Sequence, residues 1–444
     1  AQNYVGPVSF NSDIALNVTG GTDTDDVSFG SMVTATSDSL DINVATLGDV
    51  TFGDGTGTDT VSGINALTTN ANLITVNTPV SGTSIVLEGA NTSGDQLTVA
   101  SGGSLSATGL ITIGAANDTT EIEAVNLSGN ITASGAQNLS FLSNSAGGSV
   151  LTFASSGITL NAGTGAISAS NIDFDAGSNN PSFLSDGGVS WNALTASGGT
   201  LTLAPITSNT ALNIGTGGSE YNIDDASLSA ISNNFTKVTI GSSITGDVTI
   251  GGGEAIDLSN GTARTWDLEI IGGADDGSAS FILGSANSVT IDSVQALILD
   301  SASANITQTN QMLGGGELLL KGSGDVTLTN ASNNISKIAA SNTGSLSFRD
   351  TDSLSISSVD GVDGINISSS NLSIQSGGDI SQSHAVLAGI SSFTAGANAI
   401  TLTNTSNDFS GAVSLSNSGS NDVSLTDANA LDLGTVGVGQ NLAI

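Results

Sequence analysis

Two stretches of this chain, 74 residues apart, are nearly the same. "DVTLTNASNNISKI" occupies 325–338 and "AITLTNTSNDFSGA" occupies 399–412. The match extends backward: "NITQTNQMLGGG" (305–316) aligns with "DISQSHAVLAGI" (379–390) at the same offset. Ile306 then falls on Ile380, Leu313 on Leu387, Val326 on Ile400 and Leu328 on Leu402. Farther on, the offset drifts to 77, so that Leu346 and Phe348 fall on Val423 and Leu425, and Ile365 and Ile367 on Leu442 and Ile444. Register survives for the whole unit, so this is a structural repeat of about 74–77 residues.

Within a unit, apolar residues come in pairs at i and i+2, separated by Gly, Asn, Asp or Ser. Val326/Leu328, Leu346/Phe348, Leu354/Ile356, Ile365/Ile367 and Leu372/Ile374 are examples. A period of two places both members of a pair on one side of a short strand. No stretch of useful length carries helical spacing. The steps Val326–Leu346–Ile365 and Leu354–Leu372 run close to 19 residues, which predicts four coils per unit. Three coils of about 25 residues are the competing count. Equivalent residues are expected on the same face, with a whole number of coils per unit. Sandwich strands would be longer and richer in buried aromatics, and aromatics make up only 4% here. The prediction is an all-β chain, a parallel β-helix (β-solenoid) of roughly 19 residues per coil. Its organisation divides into a weakly repetitive 1–198, a repeat region 199–304, a unit at 305–378 and an incomplete unit at 379–444.

Composition narrows the function. Five basic residues stand against 40 acidic ones, for a net charge of −35. Nucleic acid and anionic lipid would be repelled. Cysteine is absent, which removes disulfides, thiolate catalysis and cysteine-ligated metals. No apolar run approaches the roughly 20 residues of a membrane helix, so membrane insertion is not expected.

The stretches 305–336 and 399–444, with "GTLTLAPITSNTALNIGTGGSEYNIDDASLSAISNNFTKVTIGSSITGDVTIGG" (199–252), resemble repeats of giant bacterial surface exoproteins, the filamentous-haemagglutinin-like and autotransporter-like adhesins. The resemblance covers under half the chain. It implies a right-handed β-helix, secretion, display at the bacterial cell surface, and an adhesive or matrix role with a host-surface or matrix glycan as partner.

The best local motif is "DGTGTDTVS", Asp54 to Ser62, which resembles the calcium-binding nonapeptide of β-rolls with Asp54 in place of the first Gly. "GGTDTDDVS", Gly20 to Ser28, is a weaker relative. Asp54, Asp59, Asp23 and Asp25 are therefore the candidate metal ligands, with calcium as the one candidate cofactor. Calcium takes six to eight oxygens, and two motifs about 34 residues apart are not tandem, so an acidic solvated turn competes with this reading. The acidic pairs Asp224/Asp225 and Asp275/Asp276 admit acid–base chemistry on sugars, but such an enzyme needs a groove with aromatic platforms. Trp191, Trp266, Tyr4 and Tyr221 are scattered, and Arg264 beside Trp266 is the one suggestive cluster. His384, the single histidine, stands where the preceding unit has Asn310, so it reads as a tolerated corner residue and no catalytic residue is assigned.

The leading expectation is a non-enzymatic structural or adhesive rod of a surface fibre or extracellular filament. A polysaccharide-cleaving β-helix and a calcium-dependent S-layer-like module are the alternatives. Neither "AQNYVGPVSF" nor "VGQNLAI" resembles a cap. Open coils carry unpaired backbone groups, which predicts either a longer chain or end-to-end self-association.

Overall fold

The computed structural model describes the chain except for residues 21–24, 45–46, 91–93, 116–121, 144–148, 216–219, 258–264, 274–278, 291–295, 314–315 and 343. All described elements are strands apart from the five-residue helix Asp225–Ser229. Strand pairing is parallel throughout the described residues, with one antiparallel exception at Ser358–Val359 and Val362–Asp363. Successive strands pair with strands one coil away, so the fold is a parallel β-helix. No described helix is long and apolar enough to cross a membrane.

The chain forms two compact units. One comprises 1–206 with 230–235, the other 207–229 with 236–444. In the first, a nine-stranded parallel sheet runs from Gln2–Tyr4 to Leu194–Thr195. Its inner side is a column of apolar pairs, including Val27 and Phe29, Val50 and Phe52, Ile74 and Val76, all at most 2% exposed. Tyr4, Phe29 and Phe52 stack ring on ring at 5.0 and 5.8 Å. Two further strand columns close the coil. The long strands Val33–Val44, Val61–Ala71 and Pro79–Gly89 run through both columns. In the second unit an eleven-stranded sheet runs to Leu433–Gly437.

The i, i+2 pairs face inward as their period requires. Val326, Leu328, Leu346, Phe348, Ile365 and Ile367 are each at most 1% exposed, while Thr327 and Ser347 point out. Burying each such aliphatic side chain contributes on the order of 1.5–3 kcal/mol. Apart from the three long strands of the first unit, the described strands run two to six residues, because the corners, not the faces, absorb changes in coil length.

The 19-residue coil is not what the register gives. Val326 pairs with Leu346, twenty residues on, but Leu346 pairs with Leu372, twenty-six on, and Leu372 with Ser391, nineteen on. In the first unit Leu97 pairs with Val125, a step of twenty-eight. The series Val326–Leu346–Ile365 was a coincidence of spacing: Ile365 stands on a different face, paired with Ala340.

The expectation that equivalent residues share a face also fails. Ile306 and Val326 belong to the eleven-stranded sheet, whereas Ile380 and Ile400, their partners in the repeat, lie in the adjoining column. From Ile306 the sheet returns at Val326, Leu346 and Leu372, and Ile380 is on the next strand along the chain. The 74-residue unit is therefore three coils plus one face. The three faces of a coil are alike, each built from short parallel strands with inward pairs, so a sequence cassette fits any of them.

What the cassette specifies is local. The Asn333 side chain is fully buried, and its Nδ2 donates to Leu328 O, Gln308 Oε1 and Arg349 O at 3.3, 3.0 and 3.1 Å. One unit later Asn407, also fully buried, donates to Leu402 O, Gln382 Oε1 and Thr426 O at 3.1, 3.0 and 3.0 Å. Asn330 and Asn404 each accept from the backbone N–H two residues on. Asp350 and Asp427 accept from Ile335 and Phe409 N–H. The repeated "TN-x-SN" is thus a buried corner network written twice.

Candidate functional site

Where the nine-stranded sheet turns into the next column, most corners are short. Two residues, Asn77 and Thr78, join Val76 to Pro79, and three, Gly30 to Met32, join Phe29 to Val33. Between Phe52 and Val61 the same corner takes eight residues, Gly53 to Thr60. Exposed insertions on a rigid scaffold are where binding residues tend to sit. The insertion walls a cleft of about 340 Å³, closed on the far side by Asn77, Thr78, Pro79 and Gly102.

Gly53 and Gly55 have φ of 81° and 79°, a region that side-chain-bearing residues rarely enter. The loop is pinned at its base. Gly53 N–H donates to Phe29 O at 2.7 Å, and Asn77 Nδ2 donates to Gly53 O at 3.1 Å. Asp54 is fully exposed at its tip. Its Oδ1 accepts from the Thr56 hydroxyl and the Thr56 N–H, each at 2.7 Å, and these bonds hold its carboxyl below the usual carboxylate range. Asp59 is tied to both neighbouring coils: its Oδ1 accepts from Ser31 Oγ at 3.5 Å, and its carbonyl accepts from Thr78 Oγ1.

The described residues of the two nonapeptide-like motifs do not come together. Asp25 and Asp26, from the second motif, lead into the strand Val27–Phe29, on the side of the sheet opposite to the exit occupied by 53–60. Asp25 lies there, its carbonyl against Gly48, and its neighbour Asp26 accepts from Asp49 N–H at 3.2 Å. Asp23 lies outside the described residues. Among the described residues no group of three or more His, Cys, Asp or Glu is placed to hold a metal ion. Asp54 and Asp59 bring two carboxylates from one loop, each already engaged by a hydroxyl.

The other sequence candidates have structural partners. Asp224 caps the short helix through Ser227 N–H at 2.8 Å, and Asp225 accepts from Asp257 N–H at 2.8 Å. Asp275, Asp276 and Arg264 lie outside the described residues. Trp191, Trp266 and Tyr221 are buried, at 7%, 0% and 0% exposure, and Tyr4 is stacked on Phe29, so these rings make no platform for a sugar. His384 is more connected than its position in the repeat suggested: Nδ1 lies 3.0 Å from Ser383 Oγ and Nε2 lies 3.5 Å from Asp363 Oδ1.

Sequence reasoning missed a recurrent quartet of Asp, an apolar residue, Ser or Thr, and a second inward residue. In Asp247-Val248-Thr249-Ile250 and Asp325-Val326-Thr327-Leu328 the Asp precedes a strand, and its Oδ1 accepts the N–H at the start of the strand one coil on. Asp379 does the same for Ala399 N–H and Asp422 for Asn441 N–H. Asn130 and Asn180 make the same bond to Thr159 and Thr200. The fixed distance from Asp to the inward pair was the available signal.

Residues 343–416 match a family model described as repeats of unknown function (DUF5649). The matched span is 74 residues, the same as the internal offset, and holds the three coil steps from Leu346 to Val413. No curated protein and no solved structure matches the chain. The chain is a repeat-containing, β-rich protein.

Proposed function

We propose that this protein is a structural, adhesive element of a bacterial surface fibre or extracellular filament, exported to the cell surface and joined end to end. The observation that carries the reading is the parallel stacking of strand on strand, coil after coil, within a unit that the chain repeats. In the 1–444 polypeptide the apolar interior is open at the outermost coils. Tyr4, Phe10, Ile14, Leu16, Phe29 and Leu40 line a pocket of about 250 Å³ at the first coil. At the last coil Leu433, Val436, Leu442 and Ile444 are 42%, 38%, 38% and 64% exposed. A further coil, from a second copy or from adjoining chain, would cover those side chains and extend the parallel sheets. Sedimentation and electron microscopy of the 1–444 polypeptide test it. Head-to-tail oligomers are expected, and Leu442→Asp with Val436→Asp should dissolve them. A monodisperse monomer at every concentration would overturn the filament.

The resemblance to surface adhesins supports display outside the cell and a glycan partner. Binding to immobilised host-surface and matrix glycans tests the adhesive part, and uniform absence of binding would remove it. Calcium at Asp54 and Asp59 would stiffen the corner loop. Calorimetric titration should then show heat that Asp54→Asn with Asp59→Asn abolishes. No heat, with a melt unaffected by chelator, would remove calcium from the reading.

A further inference from the structure

The antiparallel pair Ser358–Val359/Val362–Asp363 is a hairpin laid on the outside of the second unit. Its turn residues Asp360 and Gly361 have φ of 45° and 78°, the two left-handed positions of a type I′ turn. Val359, 1% exposed, and Val362 pack against Ala296, Ile298, Leu319 and Ala339. Ile298, Leu319 and Ala339 form one register column on the outer side of the sheet, while their neighbours Leu297, Leu299, Leu318, Leu320 and Ile338 fill the interior. The strands Ala296–Asp300 and Glu317–Gly322 are therefore apolar on both faces, and the hairpin is what covers the second one. At its tip, Asp360 Oδ2 lies 2.7 Å from Lys237 Nζ, and Lys237 is 3.8 Å from Glu269, which also binds Lys321 at 3.0 Å.

The hairpin leaves from the coil whose strands pair with Lys337–Asn342. Below that strand the pairing descends through Glu317–Gly322, Ala296–Asp300 and Asp267–Ile271 to Lys237–Gly241. Asp360 thus contacts a coil five steps from its own. Coils of a solenoid ordinarily touch only their neighbours, and each step then opens nearly on its own. We propose that the hairpin is a brace that couples the coils from Lys237 to Asn366 into one cooperative block.

Native-state hydrogen exchange tests this. Gly364 N–H donates to Ser357 O at 3.0 Å, so residues 358–363 can be replaced by Gly-Ser without separating the ends. In that variant the amides of 267–271, 296–300 and 317–322 should lose protection together, by about tenfold or more, while 413–425 stays as in the parent. Asp360→Asn keeps the turn and removes the tie to Lys237, so it should accelerate 267–271 by a smaller factor, and high salt should erase the difference between it and the parent. Acceleration confined to 337–366 in the shortened variant would overturn the brace, as would equal acceleration over the whole chain. If the shortened variant does not fold, unchanged exchange at 267–271 in Asp360→Asn overturns it.

Discussion

At the scale of the residue, much of the acidity of this chain is backbone chemistry. Asp325 and Asp379 satisfy a strand-leading N–H one coil away at 2.7 and 2.8 Å, and Asn305 does the same for Asp325 N–H at 2.9 Å. The acceptor oxygen matters there and the charge does not. Asp325→Asn should change stability by less than ~0.5 kcal/mol, and Asp325→Ala should cost about 1 kcal/mol, read from denaturant midpoints. Asp350 differs. It is 2% exposed, and burial, reinforced by the neighbouring Asp352 charge, pushes its carboxyl up to about 7. Folded protein then holds a proton that unfolded chain releases near pH 4. The contribution of Asp350 to stability is full below about pH 4 and is lost as pH rises through about 7. Asp350→Asn keeps an acceptor for Ile335 N–H, so its melting temperature should fall less than the parent's between pH 4 and 8. An equal fall would remove Asp350 as the titrating group.

At the scale of the element, short strands survive because inward pairs away from the outermost coils are packed above and below. Phe348→Asp would place an unpaired carboxylate between Leu328 and Ile374, and a loss of at least ~3 kcal/mol is expected in denaturant unfolding. Asn407→Leu removes no apolar packing but takes one donor each from Leu402 O, Thr426 O and Gln382 Oε1 and removes the acceptor of the buried Val386 N–H, so a loss of about 2–3 kcal/mol is expected. Which residues face inward was legible in the period-two pairs, because alternation and burial are the same fact in a strand. The stacking partner was not, because corner length varies: Leu346 skips Ile365 for Leu372. The brace left two signals that went unread. "VDGV" (359–362) is an Asp-Gly hairpin turn, and "ALIL" (296–299) and "LLL" (318–320) break the alternation where both faces are covered. At the candidate site the loop containing Asp54 and Asp59 was legible from its glycines. That Asp25 and Asp26 sit at the other end of the strand was not, since motif spacing does not say on which corner a motif falls.

At the scale of the molecule, a net charge of −35 opposes contact between copies, and the open apolar coils favour it. Salt screens the first and leaves the second. Oligomers of 1–444 should therefore grow between 20 mM and 500 mM NaCl in sedimentation velocity, whereas association through ion pairs would shrink. The same balance bears on any array of these repeats. Because a unit advances three coils and one face, each equivalent corner sits about a third of a turn around from the last and roughly 16 Å farther along the axis. Such an array is threaded like a screw. A flat partner lying along one side would meet the same corner only at every third repeat, so the pitch of the thread, rather than the number of repeats, sets how many identical grips a single surface can take.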